Sequence, residues 1–142
     1  NALRHFRALL IKKLNLDKIK PELNVYYNRK KNRKIKKFKE VCIAFKKEIP
    51  NHNFTLYADK SSITEQAIFF RKTRFLMLVH GSTLANMVYM NENSIVLELA
   101  KKTCKTTFVV LSQVIGIRLY ELMFTNQTYF FYNQWVDIRL RS

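Results

Sequence analysis

Residues 75–84 read Phe-Leu-Met-Leu-Val-His-Gly-Ser-Thr-Leu. Phe75 to Val79 is a continuous apolar run, the mark of a strand covered on both faces. His80 and Gly81 break the run, and Gly81 to Met90 continues with helix-like spacing. A strand that stops at a glycine and hands over to a helix is the joint of a β-α unit. Repeated along a chain, such joints build a parallel sheet with right-handed crossovers.

The pattern recurs on both sides. Upstream, Leu23 to Tyr27 is a short β-favouring run. From Lys36, the apolar residues Phe38, Val41, Cys42 and Phe45 recur at three and four, predicting an amphipathic helix that stops before Pro50. Asn53 to Tyr57 alternates as a strand. Ser61 or Ser62 caps a helix over Ile63 to Phe70, with Glu65 in its first turn. Downstream, Ile95 to Leu99 reads as a second buried strand. Thr106 to Ile115 follows as a helix closed by Gly116, and Ile117 to Tyr120 as a further strand. Ahead of all these, Leu3, Phe6, Leu9, Leu10 and Leu14 are spaced for a helix that ends before Pro21. The expected class is α/β: a doubly wound, Rossmann-like parallel sheet over residues 23–142, preceded by a helical segment over 1–22. The aromatic tail after Asn126 is expected to pack across the domain or against a neighbour.

Composition narrows the function. The 142 residues are 48% hydrophobic and 13% aromatic, enough for one domain with a genuine core. No apolar run is long enough to span a bilayer. Two cysteines, Cys42 and Cys104, exclude a cystine scaffold and a multi-cysteine zinc module; both read as small apolar packing groups. Opening on Asn1, the sequence is expected to be part of a longer protein, so the missing leader says nothing of compartment.

The net charge is +16, and it is lopsided. Sixteen of the 26 Lys and Arg precede residue 48, ten of them between Arg29 and Lys47. Such a block suits phosphate, and a basic α/β module binding RNA or another polyanion is one reading of it. Two features weigh against that reading. No recognition motif follows the block, and aromatic residues do not alternate with the basic ones.

In an open parallel sheet, ligands bind beyond the carboxyl ends of the strands. The sharpest such position is His80-Gly81-Ser82-Thr83. Helix-opening amides there favour a phosphate, and Ser82 and Thr83 add hydroxyls. Glu98 ends the next strand at the same sheet edge. It is costly to bury unless paired, so it serves either a ligand hydroxyl or a structural hydrogen bond. Other chemistries lack support. His5, His52 and His80 show no metal-ligand spacing with Cys or carboxylate, and no metal is expected. No G-x-S-x-G, G-x-x-x-x-G-K-[ST] or G-x-G-x-x-G motif is present.

Taken in order, these residues resemble the C-terminal half of glycosyltransferase family 61, which includes secretory-pathway O-GlcNAc transferases and plant β-1,2-xylosyltransferases. The family's basic Arg-x-x-x-Arg-x-apolar-x-Asn-x-x-Glu stretch is met by Arg29, Arg33, Ile35 and Glu40, with Lys37 where Asn is usual. Its Glu-Gln pair corresponds to Glu65-Gln66, and its His-Gly-Ala-Gly-Leu turn to His80-Gly81-Ser82-Thr83-Leu84. A Pro-Gly turn in the family is replaced by Asn91-Glu92-Asn93-Ser94, before a strand that likewise ends in Glu, here Glu98. The likeness runs over residues 23–122.

The resemblance implies one half of a two-domain GT-B enzyme, with this segment as its nucleotide-sugar domain and a second domain outside the chain. It implies an inverting transfer from a UDP-sugar, GlcNAc before xylose, to a protein or glycan hydroxyl. By the same likeness, Arg29 and Arg33 contact the donor diphosphate, the Gly81 and Ser82 amides and the Thr83 hydroxyl cradle it, His80 lines the donor site, and Glu98 accepts from ribose or sugar hydroxyls. Gln66 reads as a structural helix-start residue. No catalytic base is named, since a two-domain cleft can place it on either side. An ER or Golgi location with a membrane anchor in the full protein is implied too. The acceptor patterns for N-glycosylation at Asn53-Phe54-Thr55 and Asn126-Gln127-Thr128 agree with a lumenal protein.

Overall fold

A computed structural model describes residues 1–30, 34–59, 62–100, 106–123 and 136–137. The chain runs α1 (Ala2–Lys13), β1 (Leu23–Tyr27), α2 (Phe38–Glu48), β2 (Thr55–Leu56), α3 (Ile63–Lys72), β3 (Thr73–Val79), a 3-10 helix (Ser82–Tyr89), β4 (Ile95–Ala100), α4 (Thr106–Ile115), β5 (Arg118–Met123) and β6 (Val136–Asp137). One sheet holds all six strands in the order β2-β1-β3-β4-β5-β6. The first five are mutually parallel, and β6 pairs with β5 antiparallel. The α/β class and the parallel sheet are as the sequence predicts. The antiparallel edge comes from the aromatic tail, two residues of which lie along β5.

Strand order explains why the sheet is covered on both sides. The chain steps outward from β1 to β2, then returns across β1 and continues in the other direction through β3, β4 and β5. Period-two alternation sends Val25 to one face and Tyr26 to the other. On the first face, Val25, Leu76, Leu78, Val96 and Leu119 pack beneath Phe70 of α3, Met87 of the 3-10 helix and Ile115 of α4. On the second, Tyr26, Met77, Val79, Leu97 and Leu99 meet Phe38 and Val41 of α2. A third cluster seats α1: Ile11 and Leu16 close on Ala67 of α3.

Local chemistry sets the ends. Ser62 and Glu65 form a complete capping box at the start of α3, the Ser62 oxygen accepting the Glu65 amide at 3.1 Å. Gly116 sits at φ +74°, the left-handed conformation that closes α4. In the turn before β4, Asn93 at φ 65° supplies the left-handed residue that a glycine would otherwise provide, and its amide donates to the Gly116 carbonyl at 2.8 Å.

Several elements differ in extent from the sequence reading, and one in type. α3 runs to Lys72, β3 starts at Thr73 and β4 runs to Ala100. β2 is confined to Thr55–Leu56, and β5 runs on to Met123. The helix after β3 is 3-10, not α. Its ladder begins with Leu84 N–H to Gly81 C=O at 3.0 Å, and the Asn86 side chain donates to the Thr83 carbonyl at 3.0 Å. Ser, Thr and Asn side chains compete in this way for main-chain groups, which disfavours a full α ladder over so short a stretch.

Candidate functional site

The site stands where the sheet order reverses. β1 and β3 are neighbours there, and their outgoing loops lead to opposite sides, which opens a crevice at the carboxyl ends of the two strands. Arg29 arrives from β1 and His80-Gly81 from β3.

Arg29 crosses that gap. Its Nη1–H donates to the His80 carbonyl at 3.0 Å. The guanidinium then lies against Gly81, where an added Cβ would meet Arg29 Cζ at 3.1 Å and Nη1 closer still. Gly81 has φ 164° and ψ −176°, extended backbone open to any residue. Its glycine is therefore a matter of space. The expected need for a glycine to turn the backbone gives way to a need for room beneath a guanidinium.

The loop carrying Arg29 is tied at its neck. Asn28 Nδ2 donates to the Ile35 carbonyl at 2.9 Å, and Asn28 Oδ1 accepts the Ile35 amide at 3.1 Å. Lys30 pairs with Asp59 at 2.7 Å across the loops after β1 and β2, an exposed contact that adds little stability. Arg33, the partner expected for Arg29, lies outside the described residues.

His80 is held on three sides. Its amide extends the β3–β4 ladder to the Leu99 carbonyl at 2.9 Å, and its ring meets Phe108 edge-on at 6.0 Å. Nδ1 contacts Glu98 Oε1. The Glu98 side chain is only 1% exposed, against 20% for His80. One carboxylate oxygen is thus engaged internally, and the geometry makes Glu98 a support for His80. Register sets Glu98 beside Glu121 on β5.

The Ser82 and Thr83 amides precede the first bond of the 3-10 ladder and open the helix at the carboxyl end of β3. Ser82 is exposed and Thr83 half-buried. The structure therefore brings Arg29, His80, Gly81, Ser82 and Thr83 to one sheet edge, with Glu98 behind His80. Among the described residues, no group of three or more His, Cys, Asp or Glu side chains converges as metal ligands would.

Two relationships were not legible in the sequence: the reach of Arg29 over Gly81, and the His80–Glu98 contact. The second had a signal, a lone Glu closing an otherwise apolar strand one strand away from a strand-end His. Of the cysteines, Cys42 is a free thiol that burial pushes up to about 11, while Cys104 lies outside the described residues. The Asn126 acceptor triplet lies outside them too.

A family model described as Glycosyltransferase 61 matches residues 1–97. The match starts ahead of the expected residue 23, taking in α1, and spans Arg29, Glu65-Gln66 and His80-Gly81 before stopping one residue short of Glu98. Comparison with curated proteins gives no significant match. With more than half of its length matched, the chain belongs to the glycosyltransferase 61 family.

Proposed function

We propose that this domain binds the donor of an inverting, UDP-sugar-dependent glycosyltransferase, which transfers GlcNAc, or next xylose, to a protein or glycan hydroxyl. The observation that carries the reading is Arg29 lying on Gly81 beside the unladdered amides of Ser82 and Thr83. A departing UDP develops negative charge on its diphosphate. Guanidinium and amide donors fixed before the reaction stabilise that charge without reorganising. Arg suits the task better than Lys, because its planar fork meets two phosphate oxygens at once. His80, held by Glu98, lines the same edge, and Arg33 is a second diphosphate contact in this reading.

Family membership supports the remaining parts of the proposal: a second GT-B domain that closes the cleft and presents the acceptor, and an ER or Golgi location behind a membrane anchor. Among the described residues no helix is long and apolar enough to cross a membrane.

Calorimetry tests the reading. UDP and UDP-GlcNAc are expected to bind, and Arg29→Ala to weaken UDP by about 10- to 100-fold through the loss of a charge-assisted bond. Single-stranded RNA serves as the control across a salt series. RNA affinity that falls steeply with salt, with no heat from UDP, would overturn the proposal in favour of a polyanion-binding module.

A further inference from the structure

At the amino ends of the strands, opposite Gly81, lies an open hollow of about 1120 Å³ between α1, the chain leading to Pro21 and the turn before β4. Two arginines line it. Arg7, from α1, donates Nε–H to the Val88 carbonyl at 3.1 Å and Nη2–H to the Met90 carbonyl at 2.7 Å. Arg71, from the end of α3, donates Nη1–H to the Tyr89 carbonyl at 3.5 Å and Nε–H to the Leu16 carbonyl at 3.0 Å. The two guanidiniums thus rest on three consecutive carbonyls, side by side.

Their charge is poorly matched. Arg71 is 9% exposed, and its Nη2 makes no hydrogen bond among the described residues. Among the described residues, Arg7 Nη1 faces Glu92 at 3.8 Å, a carboxylate 71% exposed. Lys12 and Lys18 add two more cations to the walls, and Asp17 is the one further carboxylate there. Burial pulls both guanidiniums below their ordinary range and repulsion from Arg7 deepens the effect at Arg71, while Glu92 opposes it at both and Asp17 at Arg71. A buried and a half-buried guanidinium this close, facing two exposed carboxylates, are costly to hold together, and an anion between them lowers that cost.

We propose that this hollow is an anion site distinct from the donor crevice, taking a tetrahedral oxyanion of the phosphate or sulfate type, free or as an ester on a small molecule. Adjacent oxygens of such a group receive Arg71 Nη2–H and Arg7 Nη1–H in charge-assisted bonds, with Lys12 and Lys18 closing the rim. Occupancy ties α1 to α3, so binding and stability rise together.

The test is thermal unfolding of the Arg29→Ala chain, in which anion binding at the crevice is weakened, with phosphate, sulfate or glucose 6-phosphate titrated at constant ionic strength against chloride. A rise in Tm that follows the logarithm of anion concentration above the dissociation constant is expected, about 4 °C at roughly ten times that constant. Non-specific salting would instead rise in proportion to concentration, with no such bend. Tighter binding of the ester than of the free ions identifies an ester as the ligand, and equal binding identifies the free ion. Lys12→Glu with Lys18→Glu, both exposed and outside the carbonyl bonds, is expected to raise the dissociation constant about fivefold or more. No rise beyond non-specific salting, or one that this double reversal leaves unchanged, overturns the proposal.

Discussion

Arg29 and Gly81 are complementary: the guanidinium of the first fills the space that a side chain on the second would occupy. The two residues close different strands and meet because β1 and β3 are neighbours in the sheet.

Gly81→Ala is therefore expected to separate binding from folding. The extended backbone at this position accepts alanine, so Tm should move by no more than about 2 °C. The new Cβ displaces the Arg29 guanidinium, and UDP affinity should fall about 10-fold. Calorimetry and thermal unfolding on the same variant check both halves. A large loss of Tm with unchanged UDP affinity would contradict this account.

His80→Ala strands the Glu98 carboxylate in the interior. A cost of about 2–4 kcal/mol is expected from a buried charge without its partner. Adding Glu98→Gln to that variant removes the charge, so part of the lost stability should return. Urea unfolding of the two single variants and the double closes the cycle. Strictly additive losses would mean that the pair is not coupled.

Asn93 stands at φ 65°, so Asn93→Gly should be neutral within a few tenths of a kcal/mol, whereas Asn93→Val should cost about 1–2 kcal/mol. Denaturant titration reads the difference. Equal costs would show that the turn does not depend on its left-handed residue.

Cys42 gives an alkaline signature. Burial raises its pKa in the folded state from the ordinary 9.0 to about 11, so folding favours the protonated thiol. Its contribution to stability is complete below pH 9 and is lost as pH rises through about 11. Stability measured between these limits should fall less in Cys42→Val than in the parent. At pH 7.5, Cys42 should react slowly with thiol reagents until the chain unfolds.

The strands and helices were legible because burial leaves period and capping in the sequence. The apolar run to Val79, the Ser62/Glu65 box and Gly116 each fix an element by local chemistry alone. The crevice was legible as far as the rule of strand ends goes, which picks out His80 to Thr83. What local pattern does not encode is a side chain reaching 51 positions along the chain, as Arg29 does to the His80 carbonyl. The 3-10 ladder was equally hidden, since α and 3-10 spacing of apolar residues are alike over eight residues. Arg71 carries no local sequence signal of burial, which comes from the packing of α1 against α3.

The two hydrogen bonds between Asn28 and Ile35 fasten the basic stretch at its base, as a buckle fastens a strap. Extra residues inserted between Lys30 and Lys34 would lengthen the strap at roughly 0.6 kcal/mol per doubling. Arg29 would keep its seat. Such an insertion would carry Arg33 out of step and leave Arg29 where it is, which separates what each arginine contributes to UDP affinity.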